Sequence, residues 1–459
     1  MKLIDYKIFK GTILLLPIFI LCAFLFQFCD EDDKKKKEKT YCTKKIEEDS
    51  CSKFRAELEK LSTGTCQADT DSDGICDEDE TILGSVVGEK DIFLEIDYML
   101  DSKDLGMKIH KKSLDLIKES FAAQNIKVHI DVGSLLSGKG EYSPDDYNLC
   151  GGEEVKTTEK FALGSYGNIE DDCPAGSDCS ILKDIKSKCF DSSRSKVFHY
   201  AVVAKKSTRE GVAGLGETPI EAENILGGRN FYVSLGGGDY NAAPYTDNFR
   251  RGFMAFTIMH ELGHNLSLRH GGADDNNYKP NYESIMNYAY SDGLKVTGTG
   301  EQWRNFLSNY GPDYCDSDNV NLTIDVLNTE YVLDYSHGKN KDINESSIDE
   351  NEGYAPETTP VDFNCDGDST DTLTDYDLNP QVDVSKYDDK TDAEKITTIT
   401  DHDDWANIKY DGLDALNSSG TTSAAAISVR ATVCYHGKYA QELLRTNGFI
   451  PERRLKLGN

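Results

Sequence analysis

His260-Glu261-Leu262-Gly263-His264-Asn265-Leu266-Ser267-Leu268-Arg269-His270 gathers three of the chain's nine histidines into eleven residues. On a helix, His260 and His264 lie one turn apart and project from the same face, so both imidazoles can bind one metal ion. Glu261 stands beside them, placed to hold a metal-bound water and take its proton. His270 comes six residues after His264, where a chain that has left the helix can fold back to bring a third nitrogen. Three imidazoles with one open position describe a catalytic zinc site.

The helix that carries these residues is expected from Phe249 to Leu266. Upstream, Ile92 to Met99 reads as a strand, Met107 to Gln124 as a helix, and Ile126 to Val132 as a second strand. That order is a β-α-β unit, and a parallel strand pair needs such a crossover. Val197 to Val203 and Asn230 to Leu235 are also strand-like. The fold class is therefore α+β, with a sheet and a backing helix preceding the metal-binding helix.

Downstream lies Ser284-Ile285-Met286-Asn287-Tyr288. Together the two stretches resemble the metzincin clan of zinc endopeptidases, whose pattern is H-E-x-x-H-x-x-G-x-x-H followed by a Met-turn. The resemblance implies a mixed twisted sheet, an active-site helix and a substrate cleft between two subdomains. It assigns zinc to His260, His264 and His270, and the general base to Glu261. Met286 would be the apolar floor under the metal, and Tyr288 a displaceable ligand or oxyanion donor. The chain departs from the pattern at Ser267, which stands where the clan has Gly, and a non-Gly residue at positive φ costs about 1 kcal/mol. A gluzincin arrangement would instead take Glu283 as third ligand, leaving Met286 and Tyr288 without a role. Asp91 to Met99, His199 to Val203, His270 to Tyr282 and Leu333 to Ser336 also look like blocks of bacterial exported metalloproteases. The similarity spans roughly residues 90 to 415.

The N-terminus carries Lys2, Lys7 and Lys10, then an apolar run from Gly11 to Phe28, then a mixed-charge run from Asp30. This bias predicts export of the chain beyond residue 29. Cys29 closes the run as a lipoprotein cysteine would, although Phe26-Gln27-Phe28 is a poor lipobox; a retained anchor and free secretion stay open. Of thirteen Cys, eleven lie beyond the export segment, so disulfides are expected. Cys150, Cys173, Cys179 and Cys189 share one Gly- and Asp-rich loop that two bridges can staple. A Cys between 42 and 76 capping the metal stays open as a source of latency.

A net charge of −31 argues against nucleic acid as a partner. Its clustered acids point to calcium. Asp69, Asp71, Asp73, Asp77 and Glu80 occupy positions 1, 3, 5, 9 and 12 of a calcium loop, with Gly74 at the turn and the Ile75 carbonyl at position 7. Asp362, Asn364, Asp366 and Asp368 repeat the alternation without the closing Glu, and more acids lie between Asp371 and Asp404. Four regions are expected: an export segment at 1–29, a charged linker with a calcium loop at 30–88, a catalytic domain at 89–345, and an acidic, loop-rich region at 346–459. The expected function is zinc-dependent hydrolysis of peptide bonds in extracellular proteins, at the cell envelope or in secreted form. The rival is a calcium-stabilised surface binding protein or adhesin on a retired protease scaffold. The oligomeric state is not legible.

Overall fold

The computed structural model describes residue 42 and residues 49–61, 66–137, 142–164, 171–218, 228–238, 241, 246–290, 302–303, 332–379, 396–410 and 430–435. The expected anchor at 1–29 and an expected helix near Tyr439 to Arg445 lie outside them. No helix among the described residues is long and apolar enough to cross a membrane.

The expected β-α-β unit forms: β1 (Lys90–Met99) leads through a helix at Lys111–Ala122 into β2 (Ile126–Asp131), and the two strands pair in parallel. Short strands come next at Glu154–Val155 (β3), Lys160–Ala162 (β4) and Cys179–Ile181 (β5), then β6 (Phe198–Val203), β7 (Val212–Thr218) and β8 (Asn230–Val233). With Arg430–Tyr435 as β9, one seven-stranded sheet runs β9-β7-β8-β6-β1-β2, with β3 also on β1. β1, β2, β3, β6 and β8 are mutually parallel; β7 is antiparallel to both of its neighbours. The architecture is mixed α and β, as expected, but the sequence pattern does not announce β7 or β9.

β1 is buried along nearly its whole length, as a central parallel strand must be. Strand alternation divides the core in two. Ile92, Leu94, Ile96 and Tyr98 face a cluster shared with Leu114, Ile117 and Phe121 of the backing helix, and with the metal-binding helix. Phe93 and Met99 face a second cluster that takes in Phe54, Leu58 and Leu61 from the N-terminal segment. On that second face Glu95 and Asp131 are buried against Arg194, at 2.5 Å and 2.6 Å. Asp97 accepts from the Tyr200 hydroxyl at 2.6 Å.

The N-terminal segment is thus packed on the sheet. Its helix α1 (Asp49–Leu58) covers the second core, and α2 (Asp77–Leu83) closes the acidic loop. Two long-range disulfides, Cys42–Cys189 and Cys51–Cys150, hold it there. Cys66–Cys76 and Cys173–Cys179 close short loops. The expectation of two bridges inside the loop from Cys150 to Cys189 is corrected: only Cys173–Cys179 stays within it, because Cys150 and Cys189 lie nearer in space to α1 and its flank. All four cysteines between 42 and 76 are bridged, so none is a thiol able to cap a metal. These four disulfides are compatible with an extracellular protein.

The acidic region after 345 has no separate core among the described residues. Ile348, Tyr354, Val361, Phe363, Leu378, Ile399 and Ile408 join the cluster that contains Met259, Leu262 and Met286.

Candidate metal centre

The metal-binding helix runs Asp247–Asn265 and starts at a Thr246 cap, whose hydroxyl accepts from the Phe249 N–H at 3.1 Å. Every residue from Gly252 to Asn265 is buried. At the far end, the Asn265 amide donates to the carbonyls of Glu217 and Asn230 at 2.8 Å and 3.2 Å, fixing the helix on β7 and β8.

The chain then turns sharply. The Leu268 N–H bonds the Gly263 carbonyl at 2.9 Å and the Ser267 N–H bonds the His264 carbonyl at 3.0 Å, which is a Schellman closure. Ser267 takes φ 75°, the left-handed conformation that Gly supplies without strain. This turn brings His270 back to the helix. One side-chain nitrogen or carboxylate oxygen from each member defines a possible metal group, and His260, His264 and His270 form one, with their atoms within 4.8 Å of one another.

The rings are oriented by the backbone. His260 Nδ1 donates to the Ile285 carbonyl at 2.7 Å, and His264 Nδ1 to the Leu268 carbonyl at 2.8 Å. A carbonyl only accepts, so each Nδ1 carries the proton and each Nε2 keeps a lone pair for a metal. Burial, and then the neighbouring imidazole, push His260 and His264 down to about 3. Both rings are neutral near pH 7, the form that ligates.

Glu261 is fully buried and its carboxylate lies against β7. A Cβ at Gly214 would collide with its Oε1, and one at Gly216 would stand 2.9 Å from Oε2. The glycines of β7 are therefore required by this carboxylate. Met286 is buried beneath the helix, its Sδ 2.5 Å from where a Cβ on Gly263 would sit. The Tyr288 ring lies 4.3 Å from that of His270 and 6.1 Å from that of His260. Glu283 is turned elsewhere: its carboxylate accepts from the Tyr354 hydroxyl at 3.1 Å and the Asn340 amide at 3.3 Å, and it is outside the histidine group.

One residue supporting this centre escapes sequence reasoning. Asp404 is fully buried and accepts from the Tyr282 hydroxyl at 2.9 and 2.8 Å, the Ser284 hydroxyl at 2.6 Å and the Ser336 N–H at 3.0 Å. It anchors the turn whose Ile285 carbonyl orients His260. Its only signal in the sequence is one more acid in an acidic run, where it reads as a companion of candidate calcium ligands.

The acidic loop also assembles. Asp69, Asp71 and Asp73 form one group of converging oxygens, and Asp73, Glu80 and Asp91 a second. Asp77 is not in either; it accepts from the Thr70 N–H and hydroxyl, both at 2.8 Å. Ile75 is buried and donates its N–H to Asp73 at 2.8 Å. The stretch from Asp362 to Asp368 forms no such group among the described residues; Asp362, Asn364, Asp366 and Asp368 accept from backbone N–H groups along their own loop instead.

No family model matches this chain, and no curated protein matches it.

Proposed function

We propose that this protein is an exported zinc endopeptidase of metzincin type, hydrolysing peptide bonds in extracellular proteins. The observation that carries the reading is the convergence of three imidazole nitrogens within 4.8 Å, with Glu261 buried alongside. Three imidazole nitrogen donors suit a borderline-soft ion held with one position open, which favours zinc over calcium or magnesium. Zinc bound by His260, His264 and His270 supplies Lewis acidity to the attacking water and the scissile carbonyl.

The remaining work falls to this chain's own groups. Glu261 accepts the proton of the attacking water and delivers it to the leaving amine. Packing against Gly214 and Gly216 holds that carboxylate in one position. Tyr288, beside His270, donates its hydroxyl to the carbonyl oxygen as charge develops there. The Ile285 and Leu268 carbonyls keep the imidazoles in the ligating tautomer. Export and tethering through Cys29 or a retained signal anchor are part of the same reading, supported by the N-terminal charge bias and the disulfides.

Glu261→Gln tests it. The variant should keep about one zinc per chain and a near-normal melting temperature, while peptide hydrolysis falls by roughly 10²–10⁴-fold. His270→Ala should lose zinc as well. Wild type that holds stoichiometric zinc yet cuts nothing in an unbiased protein pool would overturn the peptidase reading in favour of a binding protein.

A further inference from the structure

The acidic loop contains a carboxylate that no group among the described residues satisfies. Glu80 is fully buried, and among those residues neither of its oxygens has a hydrogen-bond partner. One oxygen of Asp71 and one of Asp91 are likewise buried and unpartnered. Burying carboxylate oxygens without partners is strongly unfavourable, and those of Glu80 and Asp91 belong to one converging group with Asp73. Asp91 is answered on one side only, where His129 meets its other oxygen at 2.5 Å, and Lys90 lies over the Tyr410 ring.

Asp91 is the unexpected member. It is the second residue of β1, outside the loop pattern, and is buried. Its N–H donates to Asp73 Oδ2 at 2.7 Å, which brings its carboxylate into the group with Asp73 and Glu80. Asp77, the residue at the ninth loop position, is meanwhile occupied by Thr70.

We propose that one calcium ion is bound between the loop at 69–80 and the central strand, with Asp71, Asp73, Glu80 and Asp91 as ligands and Asp91 in place of the ninth loop residue. An all-oxygen, carboxylate-rich donor set with a buried Glu able to bind through both oxygens matches a hard cation of high coordination number. Because β1 supplies one ligand, the ion clips the N-terminal segment to the sheet. The inference is independent of the peptidase reading, since none of these residues touches the histidine centre.

The experiment is a calcium titration of the calcium-stripped full chain by calorimetry, with zinc kept saturating. Wild type should take up one calcium, and its melting temperature should climb with calcium concentration. Asp91→Asn and Glu80→Gln should each weaken binding at least tenfold, while Asp77→Asn changes it less than about threefold. Hydrogen exchange on the wild type removes any dependence on how the variants fold: calcium should slow exchange in the loop and at the start of β1 together. Protection confined to the loop, or Asp77→Asn weakening binding more than Asp91→Asn, would overturn the strand ligand. No calcium uptake by wild type would overturn the site altogether, and zinc content and peptide cleavage would still report separately on the histidine centre.

Discussion

Adding one methyl group at Gly263 sets two opposing effects against each other. In a helix interior, Gly→Ala gains about 1 kcal/mol from propensity alone. Here the new Cβ would stand 2.5 Å from Met286 Sδ, 3.0 Å from the Tyr335 hydroxyl and 3.2 Å from its ring. Ordinary contacts lie at about 3.5–4.0 Å, so the sulfur must retreat by about 1 Å. Met286 is fully buried, and Tyr335 is held by a 2.6 Å bond to the Met259 carbonyl, so neither has free space to move into. Overpacking of this kind costs about 1–3 kcal/mol, and the steric term should win. Gly263→Ala should therefore destabilise by about 1–2 kcal/mol in denaturant unfolding. Displacing Met286 also shifts its neighbour Ile285, whose carbonyl orients His260, so zinc affinity should fall about 10–100-fold in a chelator competition. Met286→Ala, costly alone, should cost at least 1 kcal/mol less in the Gly263→Ala background. A Gly263→Ala protein as stable as wild type, with unchanged zinc affinity, would refute the account of Met286 as a packed floor.

Ser267→Gly should be neutral to stabilising by up to about 1 kcal/mol, because relief of a strained left-handed residue slightly exceeds the added freedom of the unfolded chain; a thermal melt that falls by several degrees would show that the serine side chain is itself required. Asp404 gives a pH signature. Burial raises it to about 7 from an ordinary value near 4, so between those limits the folded chain holds a proton that the unfolded chain has released. Its contribution is full below about pH 4 and is lost as pH rises through 7, at no more than about 1.4 kcal/mol per unit. Asp404→Asn should flatten the wild-type slope of stability between pH 4.5 and 7; parallel curves for the two proteins would dismiss the assignment.

What is legible in the sequence is local. The β-α-β unit and the metal-binding helix come from periodicity within a few turns, and the left-handed turn at Ser267 from a single departure in a fixed spacing. The three histidines meet because the spacing of a helix and one turn nearly dictates it. Non-local relations are hidden. Val212–Thr218 does not look like a strand because Gly214 and Gly216 weaken it, and they are glycines on account of a carboxylate forty-five residues and more downstream. Asp404 resembles its solvated neighbours until Tyr282 and Ser284, more than a hundred residues upstream, are in place. Asp91 reads only as the start of a strand. Cys42 and Cys189 pair across a separation of 147 residues, which no spacing encodes.

That bridge also decides how the molecule bears tension. A pull on the N-terminus reaches Cys42 and crosses a covalent bond directly to Cys189. That covalent path bypasses the backbone between the two cysteines, which carries β1, β2 and the acidic loop. Force next enters the chain just before β6, in the middle of the sheet, and runs onward to the metal-binding helix. A chain pulled from that side would therefore load β6, and β1 only through its pairing with β6, before any backbone between the two cysteines is stretched, until the bridge is reduced.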